Sequence, residues 1–309
     1  MISDLAVSNS FFKELELGID LRGRSYRGRY APSPTGPLHI GNLRTALMSW
    51  LRARTAQGEW LLRIDDLDTH RNSPGAVESI KADLLWLGLS WDEDVIFQSE
   101  RKRIYYSALS FFRAQSKLYP CKCSRKLLAK NSNSDLSLTP YPGTCRDLSL
   151  PWDSQDEKQL SWRLKVGPKF SLTSGDVIVR RADGFIAYNL ATAVDDLILG
   201  IGEVIRGSDL QVALPFQLAV IEALEASPPI YKHVPLVINE EGKKLAKRER
   251  SKGLAALKLQ GFSPEKVIGM MAASIGLISE ASELSAFELL QDIRRKKYKL
   301  DLICQDYIF

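Results

Sequence analysis

Two segments far apart in the chain carry residues suited to binding a polyphosphate. His39-Ile-Gly41 follows a turn rich in proline and glycine, and Lys244-Leu-Ala-Lys247 lies some 200 residues later, after a glycine turn. Prolines before the first helical turn and none inside the periodic segment predict a helix that begins near His39 or Gly41. The N–H groups and positive dipole end of such a helix attract anions. With a lysine ammonium opposite, they could clamp a triphosphate and stabilise charge developing at its α-phosphate.

Each half of this pattern also has an ordinary interpretation. A strand, a tight turn and a helix form the crossover of any doubly wound sheet, and a basic loop is usually a solvated surface run. The two halves together, in this order and at this separation, are more specific than either one.

Three of the four cysteines lie close together in the sequence, at Cys121, Cys123 and Cys145, while Cys304 stands apart. Four cysteines are too few for a disulfide scaffold, and three clustered thiols indicate metal binding in a reducing compartment. Three thiolates with a fourth oxygen or nitrogen donor suit tetrahedral zinc in a closed structural site. Spacing alone leaves two readings open, a zinc site or three unpaired buried thiols. Cys304 is interpreted as a buried apolar residue.

The elements that must position these residues alternate between strands and helices. Strand character precedes the proline-rich turn and recurs over Glu59–Asp65, while helical periodicity is found over residues 73–87 and 101–117. This order predicts a parallel sheet with helices on its faces. A further strand is predicted from His233 to Ile238. Three short helices are predicted after residue 250.

Composition limits the class of protein. The chain has 309 residues, 45% of them hydrophobic and 26% charged, with a net charge of +5. These values are typical of a globular protein, and the mild basic excess is compatible with a polyanionic partner. No run is apolar enough to span a membrane, and the first 26 residues lack the pattern of a secretory signal. A cytoplasmic protein is expected. Residues 92–94 and 101–103 are interpreted as solvated charge.

Six motifs resemble the glutamyl class of class I aminoacyl-tRNA synthetases over about residues 27–250. They are Gly28-Arg-Tyr-Ala-Pro-Ser-Pro-Thr-Gly36, Leu38-His-Ile-Gly41, Leu62-Arg-Ile-Asp-Asp66, Tyr188-Asn-Leu-Ala-Thr-Ala-Val-Asp-Asp196, Val204-Ile-Arg-Gly207 and Lys244-Leu-Ala-Lys247. The resemblance implies an α/β fold with a Rossmann-like catalytic domain, split by an inserted zinc-bearing subdomain and followed by a short helical tail. The expected segments are an N-terminal extension with one amphipathic turn (1–26), the first catalytic half (27–118), the insertion (119–186), the second catalytic half (187–250) and the tail (251–309).

The resemblance also implies the binding residues. A glutamate pocket falls on Arg29, Tyr30, Ala31, Pro32, Ser33, Asp65, Tyr188 and Arg206. Two arginines suit an amino acid with two carboxylates, since each guanidinium can bind a carboxylate through two hydrogen bonds. ATP with Mg²⁺ is expected over His39 and Gly41, with Lys244 and Lys247 acting on the phosphates. The four zinc ligands would be Cys121, Cys123, Tyr141 and Cys145.

Two positions depart from the family pattern. The family usually has glutamate where Asp65 stands and serine where Ala246 stands. The shorter carboxylate falls one methylene short of the usual reach, and a water could bridge the gap. The alanine removes one hydroxyl from the lysine segment.

The implied activity is that of a ligase that activates L-glutamate with ATP. Only 61 residues follow Arg248, too few for a large anticodon-binding domain. The expected acceptor is therefore queuosine in the anticodon of tRNA(Asp), and the expected state is a monomer. Two alternatives stay open: a truncated glutamyl-tRNA synthetase that charges tRNA(Glu), and a non-catalytic paralogue that binds amino acid or tRNA.

Overall fold

The computed structural model describes residues 9–130, 140–152, 160–235, 253–297, 300 and 305–306. The chain forms two compact units. One comprises Met1–Leu21, Gln98–Gly200 and Val212–Pro228, and the other comprises Arg22–Phe97, Ile201–Gln211 and Pro229–Phe309. Within the described residues, no helix is both long and apolar enough to cross a membrane.

The strands and helices follow one another in alternation along most of the chain. The strands are β1 (Arg27–Tyr30), β2 (Glu59–Ile64), β3 (Asp92–Phe97), β4 (Leu118–Cys121), β5 (Ser161–Leu164), β6 (Val177–Arg180), β7 (Glu203–Gly207), β8 (Ile230–Val234) and β9 (Gln305–Asp306). The α-helices are α1 (Asn9–Arg24), α2 (Ile40–Thr55), α3 (Ala76–Trp86), α4 (Lys102–Ala114), α5 (Arg125–Lys130), α6 (Pro168–Ser171), α7 (Tyr188–Ile198), α8 (Leu214–Ala223), α9 (Leu254–Leu259), α10 (Pro264–Ser274) and α11 (Ala286–Lys296).

The second unit is built on a six-stranded sheet of order β3-β2-β1-β7-β8-β9. All of its neighbours pair in parallel except β8 and β9, which are antiparallel. One face of the sheet packs on a large apolar core that includes Tyr30, Leu62 and Ile205 from the strands and Leu47 from α2. Because side chains alternate along a strand, Arg29, Arg63 and Arg206 project from the opposite face. The core therefore fixes which side chains the other face presents.

The first unit contains a three-stranded antiparallel sheet of order β4-β5-β6 together with α1, α4, α7 and α8. Helix α1 buries Phe11 and Leu15 in this unit. A Cβ atom on Gly18 would lie 2.2 Å from the carbonyl oxygen of Leu197, so the absence of a side chain lets α1 approach the end of α7 closely.

Most of the predicted elements are confirmed. The α/β fold with a parallel sheet is found, α2 begins where the prolines predicted, and the described part of the tail contains three helices. The strand predicted from His233 is found at Ile230–Val234, and residues 236–238 lie outside the described residues. The domain boundaries predicted from the resemblance stay a prediction.

Two expectations are wrong. The amphipathic turn near the N-terminus is a 16-residue helix, α1, because its buried face runs beyond the first turn. The charged runs are not simply solvated: Asp92 accepts hydrogen bonds from Arg54 and from the backbone of Trp60, and Arg101 donates to the fully buried Asp195 at 2.7 Å. Local charge density cannot reveal such pairs, since their partners lie 30 or more residues away.

Candidate active site

The predicted pocket residues of the second unit lie at the carboxyl ends of adjacent parallel strands. Strands β1, β2 and β3 follow one another in one direction across the sheet, whereas β7 and β8 extend in the other. The order therefore reverses between β1 and β7. In open α/β sheets, ligands bind at the carboxyl ends of the strands next to such a reversal. Arg29 on β1 and Arg206 on β7 flank it.

The two arginines are held in place by the strands themselves. Arg29 is 3% exposed, and its Nη1 donates to the carbonyl oxygen of Ile205 on β7 at 3.5 Å. Arg206 is equally buried, and its Nε donates to Nε2 of His233 at 3.1 Å. Two buried guanidiniums near one end of the sheet create a site that favours an anionic ligand.

Asp65 follows β2 and is bound by a neighbour on the same strand. Arg63 Nε donates to Asp65 Oδ1 at 2.7 Å, and Arg63 Nη2 donates to Oδ2 at 3.3 Å. The backbone N–H of Asp65 donates to the carbonyl oxygen of Pro32 at 3.0 Å, which ties the loop after β1 to the end of β2. Asp65 therefore lies at the same end of the sheet as Arg29.

The remaining pocket residues have different surroundings. Tyr30 packs in the apolar core and stacks on Trp60, so its ring lies on the face of the sheet away from Arg29. In the loop, Ala31 is half-buried, Pro32 is buried and Ser33 is exposed. Tyr188 belongs to the other unit, where it is the first residue of α7 and is 40% exposed.

His39 is the N-cap of α2. Its Nδ1 accepts hydrogen bonds from the N–H groups of Gly41 at 3.1 Å and Asn42 at 3.3 Å, and Asn42 Oδ1 accepts from the N–H of His39. The prediction that free N–H groups at this helix start face a ligand is therefore wrong for Gly41 and Asn42. An imidazole that accepts at Nδ1 carries its proton on Nε2, so His39 is oriented to donate from Nε2.

The sequence also predicts phosphate-binding residues in the lysine segment. Lys244, Ala246 and Lys247 lie outside the described residues.

The cysteines and Tyr141 come together in the first unit. The sulfurs of Cys121, Cys123 and Cys145 lie within 4.8 Å of one another. The Tyr141 hydroxyl lies 3.4 Å from Cys121 Sγ and 3.5 Å from Cys123 Sγ, and it accepts from the N–H of Cys145. In a tetrahedral site with Zn–S bonds of about 2.3 Å, sulfurs lie about 3.8 Å apart. The donor set and its spacing therefore fit one zinc ion.

Two further residues, Gly175 and Arg163, support this cluster. Gly175 has φ +58°, and a Cβ there would lie 2.4 Å from the backbone nitrogen of Tyr141, so glycine permits the strand-like contact that holds Tyr141. Arg163 Nε donates to Cys121 Sγ at 3.3 Å, and its guanidinium lies over the Tyr141 ring. Burial alone would raise the pKa of the Cys121 thiol, but the Tyr141 hydroxyl and Arg163 outweigh it and lower the pKa to about 7.

Two functional candidates escaped the sequence analysis, His233 and Arg163. Each is a buried polar residue within a short strand. That pattern is the only local signal for them, since a buried polar side chain requires a partner.

Comparison with known families is consistent with this geometry. Residues 25–294 match the family model described as tRNA synthetases class I (E and Q), catalytic domain. The chain is 26% identical to the crystal structure of glutamate-tRNA synthetase from Elizabethkingia anophelis, with a TM-score of 0.72. That match covers 87% of this chain but 65% of the other chain, so the chain spans just under two thirds of its length.

Closer similarity is found to two proteins named glutamyl-Q tRNA(Asp) synthetase. The protein from Prochlorococcus marinus (strain MIT 9313) is 54% identical over 297 residues, which cover 96% of this chain and 97% of that protein. The protein from Parasynechococcus marenigrum (strain WH8102) is 53% identical over 293 residues, covering 94% of this chain and 98% of that protein.

Proposed function

Because the chain belongs to the class I tRNA synthetases of the E and Q group, and is thus a ligase, we propose that it activates L-glutamate with ATP and transfers the glutamyl group to queuosine in the anticodon of tRNA(Asp). In the first step, a carboxylate oxygen of glutamate attacks the α-phosphorus of ATP and pyrophosphate leaves. In the second step, queuosine attacks the activated carbonyl carbon and AMP leaves.

The observation that carries this proposal is near-full-length identity. At 54% identity over 96% of this chain and 97% of the relative, the similarity extends well beyond the catalytic core. The similarity to glutamate-tRNA synthetase is lower, 26%, and covers 65% of that protein. The relatives that match throughout are the ones named for tRNA(Asp), which favours tRNA(Asp) over tRNA(Glu) as the acceptor.

In this proposal, the two arginines at the reversal of the sheet recognise the two carboxylates of glutamate. Arg29 and Arg206 are both buried, so a carboxylate between them would exchange water for charge-assisted hydrogen bonds. Asp65 and Ser33 would accept hydrogen bonds from the α-ammonium group, and Ala31, Pro32 and the backbone of Tyr30 would line the pocket.

Activation requires positioning and charge stabilisation rather than a protein nucleophile. The Nε2–H of His39 would donate to an oxygen of the α-phosphate as charge develops there. Gly41 would allow close approach of the nucleotide, which arrives with Mg²⁺. Lys244 and Lys247 would neutralise the departing pyrophosphate.

The inserted segment, 119–186, would hold one structural zinc ion through Cys121, Cys123, Tyr141 and Cys145. A closed site of three sulfurs and one oxygen has no position for substrate. Its role would be to fix the ends of the short strands of this segment.

The experiment uses radiolabelled glutamate and four RNAs: tRNA(Asp) with queuosine, the same tRNA without queuosine, queuosine-bearing tRNA(Asp) lacking its 3′-terminal adenosine, and tRNA(Glu). We expect label on both queuosine-bearing forms, including the one without a terminal ribose acceptor. Nuclease digestion should recover the label in the anticodon fragment.

The other outcomes identify the rivals. Label confined to the terminal ribose of tRNA(Glu) would identify a glutamyl-tRNA synthetase. Absence of label on every RNA, together with absence of glutamate-dependent ATP–pyrophosphate exchange, would leave a binding protein.

A further inference from the structure

A buried histidine stands directly behind one of the two pocket arginines. In the parallel pairing of β7 with β8, Arg206 lies opposite His233, so the two side chains share one face of the sheet. Arg206 Nε donates to His233 Nε2 at 3.1 Å. Both residues are nearly inaccessible, with 3% and 1% exposure.

A second contact restrains the same guanidinium. Tyr231 precedes His233 by two residues on β8 and therefore projects from the same face. Its ring lies 4.9 Å from the Arg206 guanidinium carbon, within the range of a cation–π contact. The tyrosine thus limits tilting of the guanidinium plane, while the imidazole limits its rotation within that plane.

The protonation state of His233 suits this role. Burial, reinforced by the positive charge of Arg206, lowers the pKa of His233 to about 4. The imidazole is therefore neutral at physiological pH, and Nε2 accepts while Nδ1 carries the proton. A protonated imidazole would have no acceptor to offer and would place two cations side by side.

The hydrogen bond determines which edge of Arg206 can meet a ligand. A guanidinium has one fork of donors at Nε and one Nη, and another at the two Nη atoms. Because Nε is hydrogen-bonded to the imidazole, the fork formed by the two Nη atoms is the one oriented away from His233. That fork matches a carboxylate in bidentate geometry.

We infer that His233 is a positioning residue for substrate recognition: it orients Arg206 so that the guanidinium binds one carboxylate of the amino acid end-on. This inference rests on the proposed function, in which Arg206 contacts glutamate. His233 itself touches neither substrate nor the reacting atoms.

The test is ATP–pyrophosphate exchange with three His233 variants. His233→Gln can place its Oε1 where Nε2 stands, His233→Asn places its oxygen nearer the position of Nδ1, and His233→Leu has no acceptor. We expect KM for glutamate to rise about tenfold or more in the Asn and Leu variants, with kcat and KM for ATP within about twofold of wild type. His233→Gln should recover most of the affinity.

A matched control separates orientation from general damage to the strand. Lys232 is the neighbouring buried residue on β8, it projects from the other face, and its Nζ pairs with Glu203 at 3.5 Å. Lys232→Gln should reduce thermal stability without raising KM for glutamate selectively. Thermal unfolding of every variant identifies those that fold, and the Gln–Asn comparison is decisive if the Leu variant does not fold.

The outcomes distinguish this inference from the proposed function. Folded Asn or Leu variants with an unchanged KM for glutamate, or with equal increases for glutamate and ATP, would overturn the role of His233 alone. A wild-type protein without glutamate-dependent exchange would overturn the proposed function and, with it, the role assigned to Arg206.

Discussion

Arg63 holds both carboxylate oxygens of Asp65, with Nε–Oδ1 at 2.7 Å and Nη2–Oδ2 at 3.3 Å. Arg63 is completely buried and Asp65 nearly so. The pair thus sets the position of a carboxylate that the pocket is proposed to present to the substrate ammonium. The fold also requires that carboxylate, because a buried guanidinium without a neighbouring anion lowers the stability of the folded state.

Asp65→Asn should therefore destabilise the fold by about 3–5 kcal/mol, the usual cost of breaking a buried ion pair. Asp65→Glu keeps the charge and should leave exchange activity equal or improved. Urea unfolding and glutamate-dependent exchange measure the two effects. A stable Asp65→Asn protein with full activity would contradict both the structural and the binding role. Asp66→Asn, at the adjacent half-buried position, is the control.

The cap formed by His39 allows its structural and chemical roles to be separated. Asparagine is as good an N-cap residue as any, so His39→Asn should preserve helix α2 and change stability by less than about 1 kcal/mol. It removes the Nε2–H donor, and loss of one such donor typically lowers kcat by about 10²–10³-fold. Thermal unfolding measures the effect on stability, and the kinetics of ATP–pyrophosphate exchange measure the effect on kcat. Unchanged kcat in the variant would exclude His39 from catalysis.

The thiol cluster should contain one zinc ion per chain. We expect elemental analysis of protein purified without chelators to find about one equivalent, and a chelator to lower the unfolding temperature, since a structural zinc contributes directly to folding free energy. Metal content near zero in a folded protein would contradict the assignment.

Arg163 should strengthen this metal site, because three thiolates and one Zn²⁺ leave a net negative charge that its guanidinium offsets at 3.3 Å. Residues that hydrogen-bond to a ligand typically change metal affinity by about 10–100-fold. Arg163→Met should weaken zinc binding by this amount in competition with a chromophoric chelator. Arg180→Met is the control, since Arg180 lies in the same sheet and packs over the ring of Trp162. Equal losses in both variants would indicate only a damaged sheet.

Asp195 should be among the most sensitive positions in the first unit. It is fully buried and accepts hydrogen bonds from Gln98, Arg101 and Tyr105 at 2.7–2.9 Å. Asp195→Ala should cost about 3–5 kcal/mol in urea unfolding. Asp183→Asn breaks an ion pair whose side chains are each 43% exposed and should cost less than about 1 kcal/mol. Similar losses at both positions would contradict this ranking.

Gly269 should tolerate no side chain. A Cβ atom there would lie 1.6 Å from the carbonyl oxygen of Ser282, so Gly269→Ala must separate α10 from that backbone and should cost about 1–3 kcal/mol. Gly23, in α1, has nothing within 4 Å of its Cβ position. Gly23→Ala should instead stabilise by about 0.4–1 kcal/mol. Thermal unfolding of the two variants should shift in opposite directions.

The sequence by itself determined the features that depend on neighbours in the chain. The prolines of residues 32–37 and the His39 cap define the start of α2, and alternation of strand and helix patterns predicts the parallel sheet. The clustering of Cys121, Cys123 and Cys145 was also visible in the sequence, and their spacing left two readings open, a zinc site or three unpaired buried thiols. Local propensity and short-range capping suffice for all of these.

The tertiary structure alone decided which distant side chains meet. His233 reaches Arg206 because β7 and β8 pair in one register, and a shift of one residue would turn His233 to the other face. Arg101 donates a hydrogen bond to Asp195, which lies 94 positions later in the chain. The charged residues next to Arg101 had instead predicted a solvated surface run. Such contacts depend on strand order and helix packing, which arise from the burial of apolar surface by the whole chain. No local sequence pattern specifies these contacts. Only the folded chain therefore shows which residues position the side chains of the proposed pocket.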